Sequence, residues 1–284
     1  MTPQDYDYIR KLLRERSGLV LSADKQYLVE SRLVPVARKM GLASLTELVA
    51  MLKSMPLSPL TNTVVEAMTT NESFFFRDKL PFDHFRDVII PALMAARTQE
   101  KQIRIWCAAA ATGQEPYSLA MILRDIGIAL KQWRVEILAT DICSAALEKA
   151  NVGLYSQFEV QRGLSIQMLI KYFIQAGDLW QISSDIRSMV TFRHFNLLQD
   201  FSSFGPFDIV FCRNVLIYFD QATKTSVLNR ISRSMRSDGY LLLGAAETVV
   251  GLTDAFKPLP QHRGLYMPAP APTPAKVPSL AAAS

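Results

Sequence analysis

Apolar positions in the first seventy residues recur at helical spacing. Tyr6, Ile9 and Leu13 share one face, and Leu28, Leu33, Val36 and Met40 continue the i+3/i+4 rhythm after a Ser22 cap. Ser44 followed by Glu47 forms a capping-box pattern that opens a third helix. Ser58 and Pro59 place a cap and a first-turn proline ahead of Leu60, Val64, Val65 and Met68. No strand pattern interrupts this stretch. From residue 103 the period changes. Short apolar runs at Ile103–Ala108, Val135–Thr140, Phe207–Cys212 and Tyr240–Gly244 predict strands, with a weaker one at Gly264–Met267. Helical patterns at about 115–130, 144–151 and 221–235 lie between them. Strands alternating with helices predict an α/β fold with a parallel, doubly wound sheet. Leu179–Ser183 and Met189–Phe195 break the alternation, because no full helix separates them, and predict a small inserted antiparallel element.

The resulting division is a helical domain over 1–70, a junction over 71–100, and an α/β domain over 101–267 with its β-insert at about 174–195. A Pro/Ala-rich tail runs from Pro268 to Ser284; it holds five of the 15 prolines and is expected to be disordered. A length of 284 residues suits two domains, and 49% apolar with 20% charged residues suits a folded chain. The longest apolar run, Val88–Ala96, contains Pro91 and is about half of a membrane span. The polar, acidic N-terminus is unlike a signal peptide. Three cysteines and three histidines show no metal-ligand spacing. These features predict a soluble, reduced, cytoplasmic chain without a metal.

The net charge of +5 is concentrated. Eight basic and three acidic residues lie between Arg10 and Lys39, so that window alone carries +5. An acidic partner fits this pattern, whether nucleic acid, an anionic membrane or an acidic protein surface; a solvated helix face fits it too.

In a doubly wound sheet, ligands bind outside the carboxyl ends of the strands. After the first strand comes a small-residue turn, Ala108–Gly113, followed by Glu115. Asp141 ends the second strand; Asn214 and Tyr218 follow a later strand, with an Asn196–Leu198 turn between. A carboxylate at Asp141 is placed to accept both hydroxyls of a ribose. A dinucleotide would need Gly-x-Gly-x-x-Gly to cradle its pyrophosphate, whereas here there is one glycine, and Glu115 would repel a phosphate. An acid there suits a cationic ligand without phosphate, as S-adenosylmethionine is.

Four segments carry a closer resemblance: Thr69–Arg77 (TTNESFFFR), Arg104–Ser118 (RIWCAAAATGQEPYS), Ala139–Ile142 (ATDI) and Cys212–Phe219 (CRNVLIYF). Together, in order along residues 5 to 267, they resemble the bacterial chemotaxis receptor methyltransferases of the CheR family. The resemblance implies an all-helical N-terminal domain and a Rossmann-like S-adenosylmethionine methyltransferase domain with a small β-subdomain. It implies methyl esterification of glutamate side chains on the cytoplasmic helices of chemoreceptors, with S-adenosylhomocysteine as product. By motif, Asn71, Ser73 and Arg77 contribute to the cofactor pocket from the junction. Glu115 faces the methionine ammonium, Asp141 the ribose, Asn196 and Leu197 the adenine, and Asn214 and Val215 close over the donor. Ala111, Gln114 and the Gly244–Glu247 segment (GAAE) depart from the usual family residues.

A glutamate is ionised at neutral pH, so the transfer needs no general base. Arg77 is therefore expected to orient the acceptor carboxylate, with Tyr218 as a hydrogen-bond donor. The plainer readings are an ordinary ion pair for Arg77 and simple packing for Tyr218; the place of Arg77 at the domain junction favours the active site. Phe74, Phe75 and Phe76 read as core, and Cys107 and Cys212 as small buried hydrophobes. Lys25, Arg32 and Lys39, spaced by seven, would form one stripe on a continuous helix for docking acidic receptor helices. The expected chain is a monomer that binds no nucleic acid and does not insert into a membrane. Family members that capture a receptor's C-terminal peptide carry a longer, glycine-rich loop. Here only Ile174–Met189, with Gly177 its sole glycine, separates the flanking segments, which suggests that no such tether is used. Among rival readings, a nicotinamide dehydrogenase lacks its glycine fingerprint. An amino-methylating nucleic-acid enzyme would show Asn/Asp-Pro-Pro-Tyr/Phe where Asn214–Tyr218 stands. A non-catalytic binding module would have no use for Asp141 and Glu115 together.

Overall fold

The structure is a computed structural model, and it describes residues 1–127 and 131–270. Four helices form the N-terminal domain: α1 (Pro3–Ser17), α2 (Gln26–Lys39), α3 (Leu45–Ser54) and α4 (Pro59–Met68). Thr2 and Asp5 cap α1 reciprocally, and Gly18 ends it in the left-handed region at φ 76°. Asp5 also accepts from Thr46 Oγ1 at 3.0 Å and Lys53 Nζ at 3.4 Å, which ties α1 to α3. Ser44 caps α3 through the Glu47 amide, while the Glu47 carboxylate reaches one residue past the box to the Ala43 amide. The helices close on Ile9, Leu13, Val29, Leu33, Leu48 and Val64, all essentially buried. Each such side chain contributes roughly 1.5–3 kcal/mol of transfer free energy.

After the junction come α5 (Leu80–His84), one wider π turn (Phe85–Ile89) and α6 (Ile90–Ala96), a helix the apolar pattern left unassigned. The α/β domain follows as β1 (Gln102–Cys107), α7 (Gln114–Ile126), β2 (Arg134–Asp141), α8 (Ser144–Val152), β3 (Leu154–Ser156), α9 (Gln157–Gln161), α10 (Ile166–Tyr172), β4 (Phe173–Ala176), β5 (Leu179–Ile182), α11 (Ser184–Arg187), β6 (Val190–His194), β7 (Phe207–Cys212), α12 (Gln221–Arg233), β8 (Met235–Leu243), β9 (Phe256–Pro258) and β10 (Leu265–Pro268). The large sheet has the order β6-β2-β1-β7-β8-β10-β9. Strands β6 to β8 are parallel, and β10 and β9 add antiparallel at one edge. Alternation along β1 sends Ile103, Ile105 and Cys107 into the core on one face and Trp106 into the core on the other, so both faces are covered.

Two expectations are corrected. The β-insert does not span 174–195: β3, β5 and β4 make the separate three-stranded antiparallel sheet, and β6 joins the large sheet beside β2. The short helix α11 and a turn suffice to carry the chain from one sheet to the other, a crossover too short to leave a helical period in the sequence. The tail begins later than Pro268, because Pro268 pairs with Phe256 and the Ala269 amide donates to Ala255 O at 2.8 Å. The rest of the expected tail, 271–284, lies outside the described residues. Among the described residues, no helix is long and apolar enough to cross a membrane, and no cluster could hold a metal ion.

Candidate active site

In the large sheet β2 lies on one side of β1 and β7 on the other, so the chain switches direction at the carboxyl ends of β1 and β7. A cavity opens at that point. Asn71, Ser73, Arg77, Glu115, Asp141, Asn196, Leu197, Asn214, Val215 and Tyr218 all line it, although they come from separate stretches of chain. Ala108, Ala109 and Ala111 form a wall without bulk, and Ser17 and Leu19 from the end of α1 close the far side.

Asp141 ends β2 with its carboxylate held by two main-chain amides, Ala111 N at 2.8 Å and Cys143 N at 2.9 Å. Ala111 reaches this position with φ 48°, a left-handed conformation unusual for a side-chain-bearing residue. Burial raises the Asp141 pKa above the ordinary carboxylate range, and the amides of Cys143, Ala111 and Ile142 oppose that shift. An ionised carboxylate has about four lone-pair sites, so capacity remains for a ligand's hydroxyl groups.

Glu115 lies in the first turn of α7 and is buried beside Arg213, Nη1 to Oε2 2.7 Å. Burial pushes the Glu115 carboxyl up, and the Arg213 charge pulls it back. Arg213 extends through Nη2 to Asp78 at 2.8 Å and to Arg77 O at 2.9 Å, which fastens the junction to the end of β7. Its Nε is buried without a partner, the one orphaned atom among the described residues that belongs to a cavity-lining side chain. Sequence reasoning passed over Arg213 as a site residue. Its signal was a charge directly after a wholly apolar strand end, Val210–Cys212.

Glu247 was named only as part of a departure from the family pattern, and it organises the opposite wall. Its two oxygens accept from Asn214 N (2.8 Å), Val215 N (3.0 Å), Ile217 N (3.3 Å) and Gly244 N (2.7 Å). These bonds hold Asn214 at φ 57°. A Cβ at Gly244 would sit 2.9 Å from Asn214 N, so glycine is required there.

Arg77 makes no ion pair among the described residues. It donates to Glu72 O at 2.9 Å and lies 5.6 Å from the centroid of the Phe74 ring. Asn71 Nδ2 donates to Thr69 Oγ1 and to Cys143 Sγ, bridging junction and α8. Asn196 Nδ2 donates to Arg16 O at 2.6 Å while its Oδ1 accepts from Leu198 N, so its amide joins the α/β domain to α1. Phe75 is fully buried, with Tyr155 and Phe173 edge-on to it, as a core reading requires.

The basic stripe is altered. Lys25 stands in a 3-10 turn before α2, beside Asp24 at 3.5 Å, so no continuous helix carries all three residues. Arg32 donates to Met68 O, Thr69 O and Thr70 Oγ1, closing the open carbonyls at the end of α4. Lys39 is exposed. None of the three lines the cavity.

The donor and acceptor set fits S-adenosylmethionine. A buried carboxylate and a guanidinium stand side by side, complementary to an amino acid's ammonium and carboxylate. Asp141 has lone pairs to spare for a ribose, and Glu115 in the first turn of α7 would repel a phosphate.

Residues 71–265 match the family model described as CheR methyltransferase, SAM binding domain, and residues 4–69 match the CheR methyltransferase, all-alpha domain. The chain is 40% identical over 257 residues to the chemotaxis protein methyltransferase Cher2 of Pseudomonas putida, covering 89% of this chain and 93% of that one. It is 40% identical over 264 residues to chemotaxis protein methyltransferase 1 of Vibrio cholerae, with coverage of 90% and 94%. It is 36% identical over 254 residues to the chemotaxis protein methyltransferase of Escherichia coli, with coverage of 87% and 85%.

Proposed function

The chain belongs to the CheR methyltransferase family and uses S-adenosylmethionine, and from that premise we propose that it methylates glutamate side-chain carboxylates on the cytoplasmic helices of chemoreceptors. The methyl esters formed serve sensory adaptation. The observation that carries this reading is the single cavity at the switch point, which gathers Asp141, the Glu115–Arg213 pair and an Arg77 free of any ion pair among the described residues.

Bound S-adenosylmethionine supplies an electrophilic methyl group on a sulfonium sulfur. The chain's own residues bind, orient and exclude water. Asp141 accepts the ribose hydroxyls, while Glu115 and Arg213 take the ammonium and carboxylate of the methionine end. Asn196 and Leu197 flank the adenine. Asn71 and Ser73 close the junction side, and Asn214 and Val215 the side held by Glu247. The acceptor glutamate arrives ionised, so no residue need remove a proton. The task is alignment and loss of water from the carboxylate. Transfer neutralises the acceptor charge, so a cation that gripped it tightly would favour the ground state over the transition state. Arg77, resting on the Phe74 ring, orients the acceptor without burying it in an ion pair, and Tyr218 adds a hydrogen bond.

Acidic receptor helices dock on the N-terminal domain through Lys25 and Lys39, with Arg32 holding α4 to the junction. A tight turn at Gly177 and Asp178 joins β4 to β5. That leaves little loop for capturing a receptor's terminal peptide, so recognition rests on the helical domain and the cleft.

Methyl-labelled S-adenosylmethionine, offered with receptor cytoplasmic fragments, DNA or RNA in parallel, tests the reading. Label on the receptor that mild base releases as methanol is expected. Label on nucleic acid, or a base-stable label on the receptor, would overturn it.

A further inference from the structure

Arg77 sits between two residues whose backbone angles are unusual for side-chain-bearing residues: Phe76 before it at φ 52° and Asp78 after it at φ 67°. Lys79 follows at φ 49° and ψ -54°, and Leu80 N donates to Asp78 O across it, a γ-turn of the rare, strained form. Lys79 N also donates to Phe76 O at 2.9 Å, so Arg77 is carried on a tight turn. No glycine relieves this stretch. A backbone held in such conformations persists only where its surroundings fix it.

The turn is pinned on both sides of Arg77. After it, Arg213 Nη2 donates to Arg77 O and to Asp78 Oδ2. Before it, Phe76 N donates to Ser118 Oγ at 3.0 Å, the one hydrogen bond of that amide among the described residues. Ser118 is wholly buried in α7, and its hydroxyl donates to Gln114 O at 2.6 Å. With the proton committed to its own helix, the oxygen is left to accept from the junction. Ser118 closes the motif Arg104–Ser118 and does not line the cavity. It stands three residues after Glu115 on the same helix, about one turn away.

We infer that Ser118 is a positioning residue for methyl transfer: through the Phe76 amide it fixes the turn that carries Arg77. The inference rests on the proposed role of Arg77 in orienting the acceptor carboxylate. Because Ser118 and Glu115 belong to one helix, α7 sets the place of Arg77 and the place of the cofactor's ammonium together. The guanidinium is thereby held in register with the methyl donor. Removal of the hydroxyl frees the Phe76 amide and lets the turn relax toward ordinary negative φ. Arg77 is then displaced, although no group that lines the cavity has been removed.

The test uses the full chain, S-adenosylmethionine and receptor cytoplasmic fragments, and compares wild type with Ser118→Ala, Arg77→Ala and the double variant. Ser118→Ala should lower kcat for receptor methylation by roughly ten- to a hundredfold, with KM for S-adenosylmethionine and calorimetric S-adenosylhomocysteine affinity unchanged. Ser118→Cys, which keeps a weaker acceptor at the same place, should give an intermediate kcat. In the Arg77→Ala background Ser118→Ala should cost no further rate, because residues that act through one group do not contribute additively. A wild-type kcat in Ser118→Ala, a rate loss that persists in full without Arg77, or a fall in cofactor affinity as large as the fall in rate would overturn the inference. Wild-type turnover in Arg77→Ala would overturn the orienting role and the inference with it. Failure of the wild-type chain to methylate any receptor fragment would remove the functional reading itself, and both of these with it.

Discussion

The two ends of the large sheet treat buried charge in opposite ways. At the amino ends of the parallel strands, Arg97 is 7% exposed and donates to Asp208 at 3.1 Å and to Asp238 at 2.7 and 2.6 Å. The other Asp208 oxygen accepts from the Arg104 amide at 2.8 Å. No side-chain atom of that cluster is an unpartnered buried donor or acceptor. At the carboxyl ends, Arg213 is at least as deeply buried, yet its Nε lacks a partner, Asp141 keeps unused lone pairs, and Ala111 and Asn214 sit in left-handed conformations. The first arrangement is complete within the chain. The second leaves capacity that a ligand with opposite groups can fill, and unmet polar capacity in a cavity distinguishes a binding end from a structural one.

Breaking the closed end should have the largest effect. Arg97→Ala leaves the buried Asp208 with only Arg236, 3.5 Å away, as a neighbouring cation and removes both bonds to Asp238, which should cost about 3 kcal/mol of stability, the low end for breaking a buried pair. Urea unfolding should show that loss, with cofactor affinity unchanged in whatever fraction remains folded. A midpoint equal to wild type would show that the two ends do not differ as described.

Asp141→Ala strikes the open end. Loss of charge-assisted bonds to the ribose should weaken S-adenosylhomocysteine binding by roughly 1.5–3 kcal/mol, readable by calorimetry. The Ala111 and Cys143 amides lose their acceptor too, so this variant should also be less stable than wild type. The pH dependence sharpens the contrast. Because burial raises the Asp141 pKa, the carboxylate protonates at a higher pH than an ordinary aspartate as the solution is acidified. Cofactor affinity should therefore begin to fall above the ordinary carboxylate range. The sign for folding is opposite: between the ordinary and the raised value the folded state holds more protons than the unfolded state, so this group's contribution to stability grows as pH falls. Affinity that holds down to the usual aspartate range would exclude Asp141 as the acceptor.

Arg77→Ala should lower the rate of receptor methylation more than it lowers cofactor affinity, because the guanidinium has no ion-pair partner among the described residues whose loss would disturb the pocket. Wild-type turnover in this variant would remove the orienting role. The smallest effect belongs to the surface. Reversing Lys25 and Lys39 together should weaken receptor engagement slightly, as exposed charges contribute little, and added salt should weaken the wild type in the same direction. Arg32→Glu should differ in kind, lowering thermal stability as well, since its guanidinium closes the end of α4.

Much of this architecture was legible in the sequence because its signals are local. Helical spacing marks Ile9 and Leu13, and short apolar runs mark β1, β2 and β7, since a side chain's periodicity is set by the backbone it belongs to. Asp141 and Glu115 stood out for a similar reason: a strand end and a first helical turn can be placed from the pattern alone. What depended on partners distant in the chain was decided only by tertiary structure. The short strands β3, β4 and β9 are strands because a neighbour pairs with them. β6 belongs to the large sheet because Val190 meets Ile137, a partner far back along the chain. Arg32 met the end of α4 and was taken out of the docking stripe, and Arg213 and Glu247 acquired their parts from Glu115, Asp78 and four amides brought in from elsewhere. A charge in the sequence has a sign but no partner; burial beside particular groups determines whether it closes a helix, holds a wall or faces a ligand.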